Sequence, residues 1–362
     1  MTKTKTPMYL YVYNDIISKI KSGEYKVGDK LPTEMELTKI YGVSRITISH
    51  ALKILAEINL VYRVKHSGTF INGKINHSEP LIVPVILPFE ENFNETAKGV
   101  QSAAIANNVF TPFYNSRNNI NKERNFLTEI LKSNFDGLIV YPCAFLNNID
   151  LYAAILSKGI PIVCIDRNIE GLDTPLVTSN NAESMKQIAN KLVRLGHKKI
   201  GFFSICEQMA TTETARFTGF CQGIIENGIP LNKDYIFNTT DIHKKEINLS
   251  NKQQQTLFIK YVKRELERYL SLEDKPSAIC CLNDTTLETL CSVAKKMNIR
   301  IPEDLTVTGF DCFDAEKTKQ RGFISVKQDF FGIGNAAMKL MLNILDGKPY
   351  RKNELVECML VE

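Results

Sequence analysis

The chain has 362 residues, of which 44% are hydrophobic and 23% charged, which gives room for two or three domains of a globular protein. No apolar run approaches the ~20 residues that span a bilayer, and the opening MTKTKTPMYLYVYNDIISKI is too polar for a signal peptide, so a cytoplasmic protein is expected. The net charge of +5 is unevenly spread: residues 1–75 hold 12 Lys+Arg against 6 Asp+Glu, and the remainder holds 33 against 34. A small basic N-terminal module points to a polyanionic partner, most simply nucleic acid. The 9 cysteines begin at Cys143 and form no C-x-x-C pair. They read as buried, reduced thiols rather than as a metal or redox site.

Met8–Lys21 is predicted to be an amphipathic helix with Val12, Ile16, Ile17 and Ile20 on one side. GEYKVGDKLP ends it in a turn. Thr33 and Glu36 make a capping box that opens a short helix to about Tyr41. Gly42 allows a tight turn, and Ser44 caps a third helix from Arg45 to about Asn59. LVYRV and TFIN are strand-like runs joined by KHSG, a hairpin turn. Three helices and a hairpin in about 75 residues describe a winged helix-turn-helix. The stripe Ile48, Leu52, Leu55 of the third helix should pack inward, leaving Ser44, Arg45, Thr47, Ser49 and His50 at a major groove. Arg45 can grip guanine or a phosphate, and the hairpin can lay Lys65, His66 and Ser67 along the backbone.

These residues resemble the winged-helix domain of GntR-type bacterial regulators over about 7–72. GDKLPTE, YGVSRITI and SGTF fall in the family's order and spacing. The resemblance implies DNA contacts from Glu34, Ser44, Arg45 and Thr47, and from the wing at Gly68 and Thr69. Ser49 stands where the family usually has arginine. His66 and Ser67 stand where its wing usually reads glycine and then a basic residue. The family's positions therefore give Ser49 and His66 as further candidate contacts with a different chemistry.

NGKINHSEP (72–80) reads as a linker. Domains are therefore expected at 1–72 and 81–362, with 73–80 between them. From Leu81 onward, short apolar runs alternate with helical stretches: LIVPVIL, FDGLIVYP, IPIVCID, KKIGFFSI, SAICCLND and LTVTGFD. Such alternation means parallel sheet covered on both faces, and about six units in 280 residues fit two doubly wound lobes better than one sheet. Ligands bind at the carboxyl ends of such strands. The candidates there are Phe89, Tyr141, Asp166, Arg167, Ser204, Asn283, Asp284 and Asp311. Carboxylates, amides and guanidinium groups beside aromatic faces suit a sugar.

This part resembles the effector domain of LacI/GalR-type regulators, a periplasmic-binding-protein-like fold. FDGLIVYP, IPIVCIDR, VTSNNAESMKQIANKLVRLGHKKIGFF, ARFTGFCQGI, SAICCLND, LTVTGFD and ISVKQDF carry the likeness. It implies ligand contacts from Asp166, Arg167, Arg216, Asn283, Asp284 and Gln328, helped by Phe89 and Tyr141, with Arg216 and Asp284 as the paired charged groups. A GntR-like reader on a LacI-like sensor is the arrangement of arabinose-type repressors. The hinge helix of LacI-type proteins has no counterpart in NGKINHSEP. The implied function is a dimeric repressor of carbohydrate-utilisation genes on a palindromic operator, released or retained by a monosaccharide, an aldopentose such as arabinose being the first expectation. No cofactor, metal or catalytic residue is assigned.

Two rival readings are weaker. FGIGNAA (331–337) contains G-x-G-x-x-A, yet it lies far from a first βα unit and has no acidic partner about 20 residues on, so tight helix packing explains its small residues better than a dinucleotide does. An aminotransferase-like fusion lacks a convincing lysine setting, and no G-x-S-x-G or H-E-x-x-H occurs. A transport-type sugar-binding protein would share the lobes but carry a secretion signal and no DNA reader.

Overall fold

The computed structural model describes residues 8–21, 23–57, 60–64, 67–72, 80–88, 93–143, 148–204, 211–237 and 251–362. The first module holds α1 (Met8–Lys21), α2 (Glu34–Tyr41), α3 (Arg45–Glu57) and the hairpin β1 (Val61–Val64) and β2 (Gly68–Ile71). Thr33 and Glu36 form the reciprocal capping box, and Gly42 ends α2 in the left-handed conformation at φ 63°. Val12, Ile16, Leu37, Ile48, Leu52 and Leu55 share one dry core. The segment before α2 joins the wing: Lys30 bridges Phe70 in antiparallel fashion, and the Leu31 amide donates to the Thr69 carbonyl at 2.9 Å.

LIVPVIL is not one strand. Pro84 has no N–H to give a ladder, and the run divides into β3 (Leu81–Ile82) and β4 (Val85–Leu87) in different sheets. There follow α4 (Phe93–Ile105), β5 (Val109–Phe110), β6 (Phe113–Asn115), α5 (Ile120–Lys132), β7 (Leu138–Val140), α6 (Ile149–Ser157), β8 (Ile162–Ile165) and β9 (Leu176–Ser179). The chain continues through α7 (Asn181–Arg194), β10 (Ile200–Phe203), α8 (Thr211–Glu226), β11 (Ile236–Phe237), α9 (Asn251–Ser271), β12 (Ala278–Cys281), α10 (Asp284–Lys296), β13 (Thr306–Thr308), α11 (Ala315–Gln320) and β14 (Ser325–Lys327). It ends with α12 (Phe330–Leu345), β15 (Asn353–Val356) and β16 (Met359–Val361).

Two parallel sheets make two lobes. The first has the order β15-β9-β8-β7-β4-β6 and the second β11-β10-β12-β13. Each is covered by apolar helices on both faces, which explains the unbroken apolar strands. The chain passes between lobes at β9 to α7, at β14 to α12 and at β15 to β16. The last helix therefore returns to the first lobe, where α12 packs on α4. Gly334 makes that approach close, since a β-carbon there would run into the Thr96 carbonyl oxygen. FGIGNAA is thus a helix-packing surface. Among the described residues no helix is long and apolar enough to cross a membrane.

Candidate functional sites: the reader helix and the interlobe cleft

Ser44 caps α3, its Oγ accepting from the Thr47 amide at 3.3 Å and lying 2.9 Å from Thr47 Oγ1. The Arg45 side chain is 75% exposed, so its fork is available beyond the module's surface. Glu34 does not stand free as a DNA contact: its carboxylate takes Arg45 Nε and Arg63 Nη2, each at 3.0 Å. It ties the starts of α2 and α3 to the wing and aims both arginines. Ser49 is half-buried on the same helix. Gly68 has φ +132° and lies over the Lys30 side chain, where a β-carbon would meet Cε at 2.6 Å. Thr69 follows it, opposite Arg63 across the hairpin. His66 and Phe89 lie outside the described residues.

The second site is a cavity of about 200 Å³ between the lobes. The first lobe contributes Thr96, Tyr141, Asp166, Arg167 and Phe330, and the second Thr212, Glu213, Arg216, Asn283, Thr285, Asp311 and Phe313. Gln328, in the segment between β14 and α12, lies at the join. Tyr141, Asp166, Asn283 and Asp311 come from the carboxyl ends of β7, β8, β12 and β13, as parallel sheets require. Asp166 and Asp311 have φ of 64° and 104°. Backbone of this kind is costly away from glycine and gathers at functional sites.

The buried Arg216 is the centre of the second lobe's wall. Its Nε donates to Asn181 Oδ1 at 2.8 Å, its Nη1 to the Leu282 carbonyl at 3.1 Å, and its Nη2 pairs with Asp311 Oδ1 at 3.1 Å. The guanidinium lies 3.9 Å from the Phe310 ring centroid. Burial pushes the Asp311 carboxyl up, and Arg216 pulls it back. Gln328 extends the chain of bonds, donating to Asp311 at 2.6 Å and accepting from Ser179 Oγ at 2.5 Å. Two of the segments that pass between lobes are thereby tied to the cavity wall. Opposite, Arg167 lies 4.7 Å from the Tyr141 ring centroid and 3.8 Å from Asp166. Burial pushes the Tyr141 hydroxyl well above its ordinary range, with Asp166 adding to the shift.

Asp284, expected to pair with Arg216, does not line the cavity. Its carboxylate turns away from the cavity and accepts from Ser325 Oγ at 2.8 Å inside the second lobe. The partner of Arg216 is therefore Asp311. Ser204 likewise is buried away from the cavity. Thr96, Thr212, Glu213, Thr285, Phe313 and Phe330 line the cavity without having been expected. Glu213 had a legible signal, because it precedes Arg216 by three residues and shares its helix face. Thr96 Oγ1 is buried at the wall with no hydrogen-bond partner among the described residues, and buried hydroxyls seldom remain so.

Residues 8–71 match the bacterial regulatory proteins of the gntR family, and residues 189–362 match the periplasmic binding protein-like domain. The chain thus carries a GntR-family helix-turn-helix domain ahead of a periplasmic-binding-protein-like domain. Arabinose metabolism transcriptional repressors resemble this chain along most of its length. That of Geobacillus stearothermophilus is 22% identical over 97% of this chain and 94% of its own. That of Halalkalibacterium halodurans is 27% identical over 93% and 89%. A LacI family transcriptional regulator from Enterococcus faecium, solved with bound ribose, superposes with a TM-score of 0.60 at 18% identity over 78% of this chain and 97% of its own. The two relatives are named as transcriptional repressors and the superposed structure as a transcriptional regulator.

Proposed function

We propose that this chain is a repressor of carbohydrate-utilisation genes whose operator affinity is set by a small neutral sugar held between the lobes. The reading assigns 1–72 to the reader, 73–80 to the linker and 81–362 to the sensor and dimer contact. Its site of action is the cytoplasm, on a palindromic operator read by a homodimer. The observation that carries the effector class is the cavity's charge. Its three carboxyl groups (Asp166, Glu213, Asp311) outnumber its two guanidinium groups (Arg167, Arg216), and each arginine has an aspartate beside it. A phosphate or carboxylate ligand would enter a wall already negative on balance. A sugar brings hydroxyls for these groups and for Thr96, Asn283 and Gln328, and a C–H face for Tyr141, Phe313 and Phe330. At about 200 Å³ the space suits one ring. The arabinose repressors and the ribose-bound regulator make an aldopentose the first candidate.

The mechanism is a population shift. A sugar that touches both lobes favours their closed arrangement, closure changes the separation of the two readers in the dimer, and one arrangement fits both half-sites. The test is a thermal-shift screen against pentoses, hexoses and their phosphates. At 100 Kd a specific ligand adds about 2.7 kcal/mol. Arg216→Lys keeps the charge but loses the planar fork, so it should abolish the shift and leave DNA affinity unchanged. Full stabilisation of Arg216→Lys by the same sugar would remove this cavity as the effector site.

A further inference from the structure

We propose that Ile46 selects a thymine in the operator by packing on its C5 methyl group, an inference that rests on α3 being the major-groove reader. Ile48, two residues on, is fully buried in the module's core. Two residues turn a helix by about 200°, so Ile46 projects from the opposite face. It is 82% exposed, more than any other large apolar side chain among the described residues. Packing within the module does not account for it.

Its neighbours narrow what it meets. Ser44 and Thr47 share a hydrogen bond and sit low on the helix start. Ser49 has a short side chain, and His50 is stacked on Tyr9 with ring centroids 4.3 Å apart. Arg45 and Ile46 are therefore the large side chains that reach outward from the first turn of α3. Arg45 carries the donors and is aimed by Glu34. The Ile46 side chain has no polar atom, so it can bond neither phosphate nor a base-edge donor or acceptor. Within the major groove the apolar feature is the thymine methyl. The positive charge of this module, and the arginine beside Ile46, favour DNA over an apolar protein surface as the occupant.

The experiment uses the full chain and duplexes selected by it from random DNA. Each dT of the selected duplex is replaced in turn by dU, which removes the methyl and nothing else. Loss of one buried methyl corresponds to about four-fold in affinity. The wild-type chain should lose about that factor at one thymine in each half-site, and Ile46→Ala should bind the dT and dU duplexes equally. Ile46 is exposed, so the alanine variant should fold normally, which circular dichroism checks. If no dU weakens the wild type, or if the penalty persists in Ile46→Ala, the inference is overturned. A chain that enriches no duplex at all overturns the reader assignment itself, a different failure with a different readout.

Discussion

Asp284 opens α10 as a buried residue, 9% exposed. Burial pushes its pKa up to about 7, against the pull of the Ser325 hydrogen bond. The unfolded chain releases this proton near the ordinary 3.8. Between about pH 4 and 7 the native state therefore holds a proton that the unfolded state has lost, and stability falls as pH rises through that window. Asp284→Asn mimics the protonated form and should remove that slope. Urea unfolding at pH 5 and pH 8 should show wild type losing on the order of 1–4 kcal/mol relative to the variant. An equal gap at both pH values would mean the carboxylate is ionised in the fold throughout. The same residue marks the limit of sequence reading. Asn283 and Asp284 are consecutive at one helix start, and the strand-end rule names both. Only the backbone direction decides that Asn283 faces the cavity while Asp284 faces Ser325. Residues held at strand ends, such as Tyr141, Asp166, Arg167 and Asp311, were legible because topology alone puts them there. Thr96 comes from a helix of the first lobe, and nothing local announces which side of that helix meets the second.

At the scale of elements, the pairing of α4 with α12 decides the shape of the first lobe's wall. A β-carbon on Gly334 would overlap the Thr96 carbonyl oxygen, and one on Gly99 the Phe331 carbonyl oxygen. The helices are interlocked through their glycines at backbone contact. Gly334→Ala gains helix propensity of up to about 1 kcal/mol but must force the helices apart, and overpacking of this sort costs typically 1–3 kcal/mol. The expected net effect is a lower Tm. Ligand affinity should fall with it, because Thr96 and Ile333 line the cavity from these two helices. An unchanged Tm and an unchanged affinity would mean that the two helices do not meet at this point. The small residues of FGIGNAA were readable as a packing surface, but not their partner. The alternation of strand and helix says that lobes form and is silent about which lobe the last helix joins. By contrast α1, α2 and α3 were fully legible, because each is bounded by local chemistry: a glycine turn, a capping box, a serine cap. LIVPVIL failed for an equally local reason, since Pro84 interrupts the ladder within an otherwise uniform run.

The whole molecule joins two kinds of electrostatics, and salt should separate them. The reader carries the chain's positive charge on an exposed surface and meets a polyanion, so binding releases counterions. Each phosphate it neutralises contributes about −0.9 to the slope of log affinity against log salt. Operator affinity should therefore fall steeply between about 50 and 200 mM salt, and Arg63→Ala, which removes one exposed wing cation, should flatten the slope by about one unit. The cleft is built oppositely. Arg216 is buried, Asp311 is largely so, and the two are paired, where salt screens little, and the proposed ligand has no charge to screen. Sugar affinity measured over the same salt series should stay level. A sugar affinity that falls in parallel with DNA affinity would mean a charged effector, such as a sugar phosphate, and the charge balance of the cavity would have to be read in its presence. A level sugar affinity beside a steep operator affinity would mean that salt acts on the reader alone. The effector's hold on the operator could then be measured at any salt as a pure coupling free energy, equal whether read from the sugar side or from the DNA side.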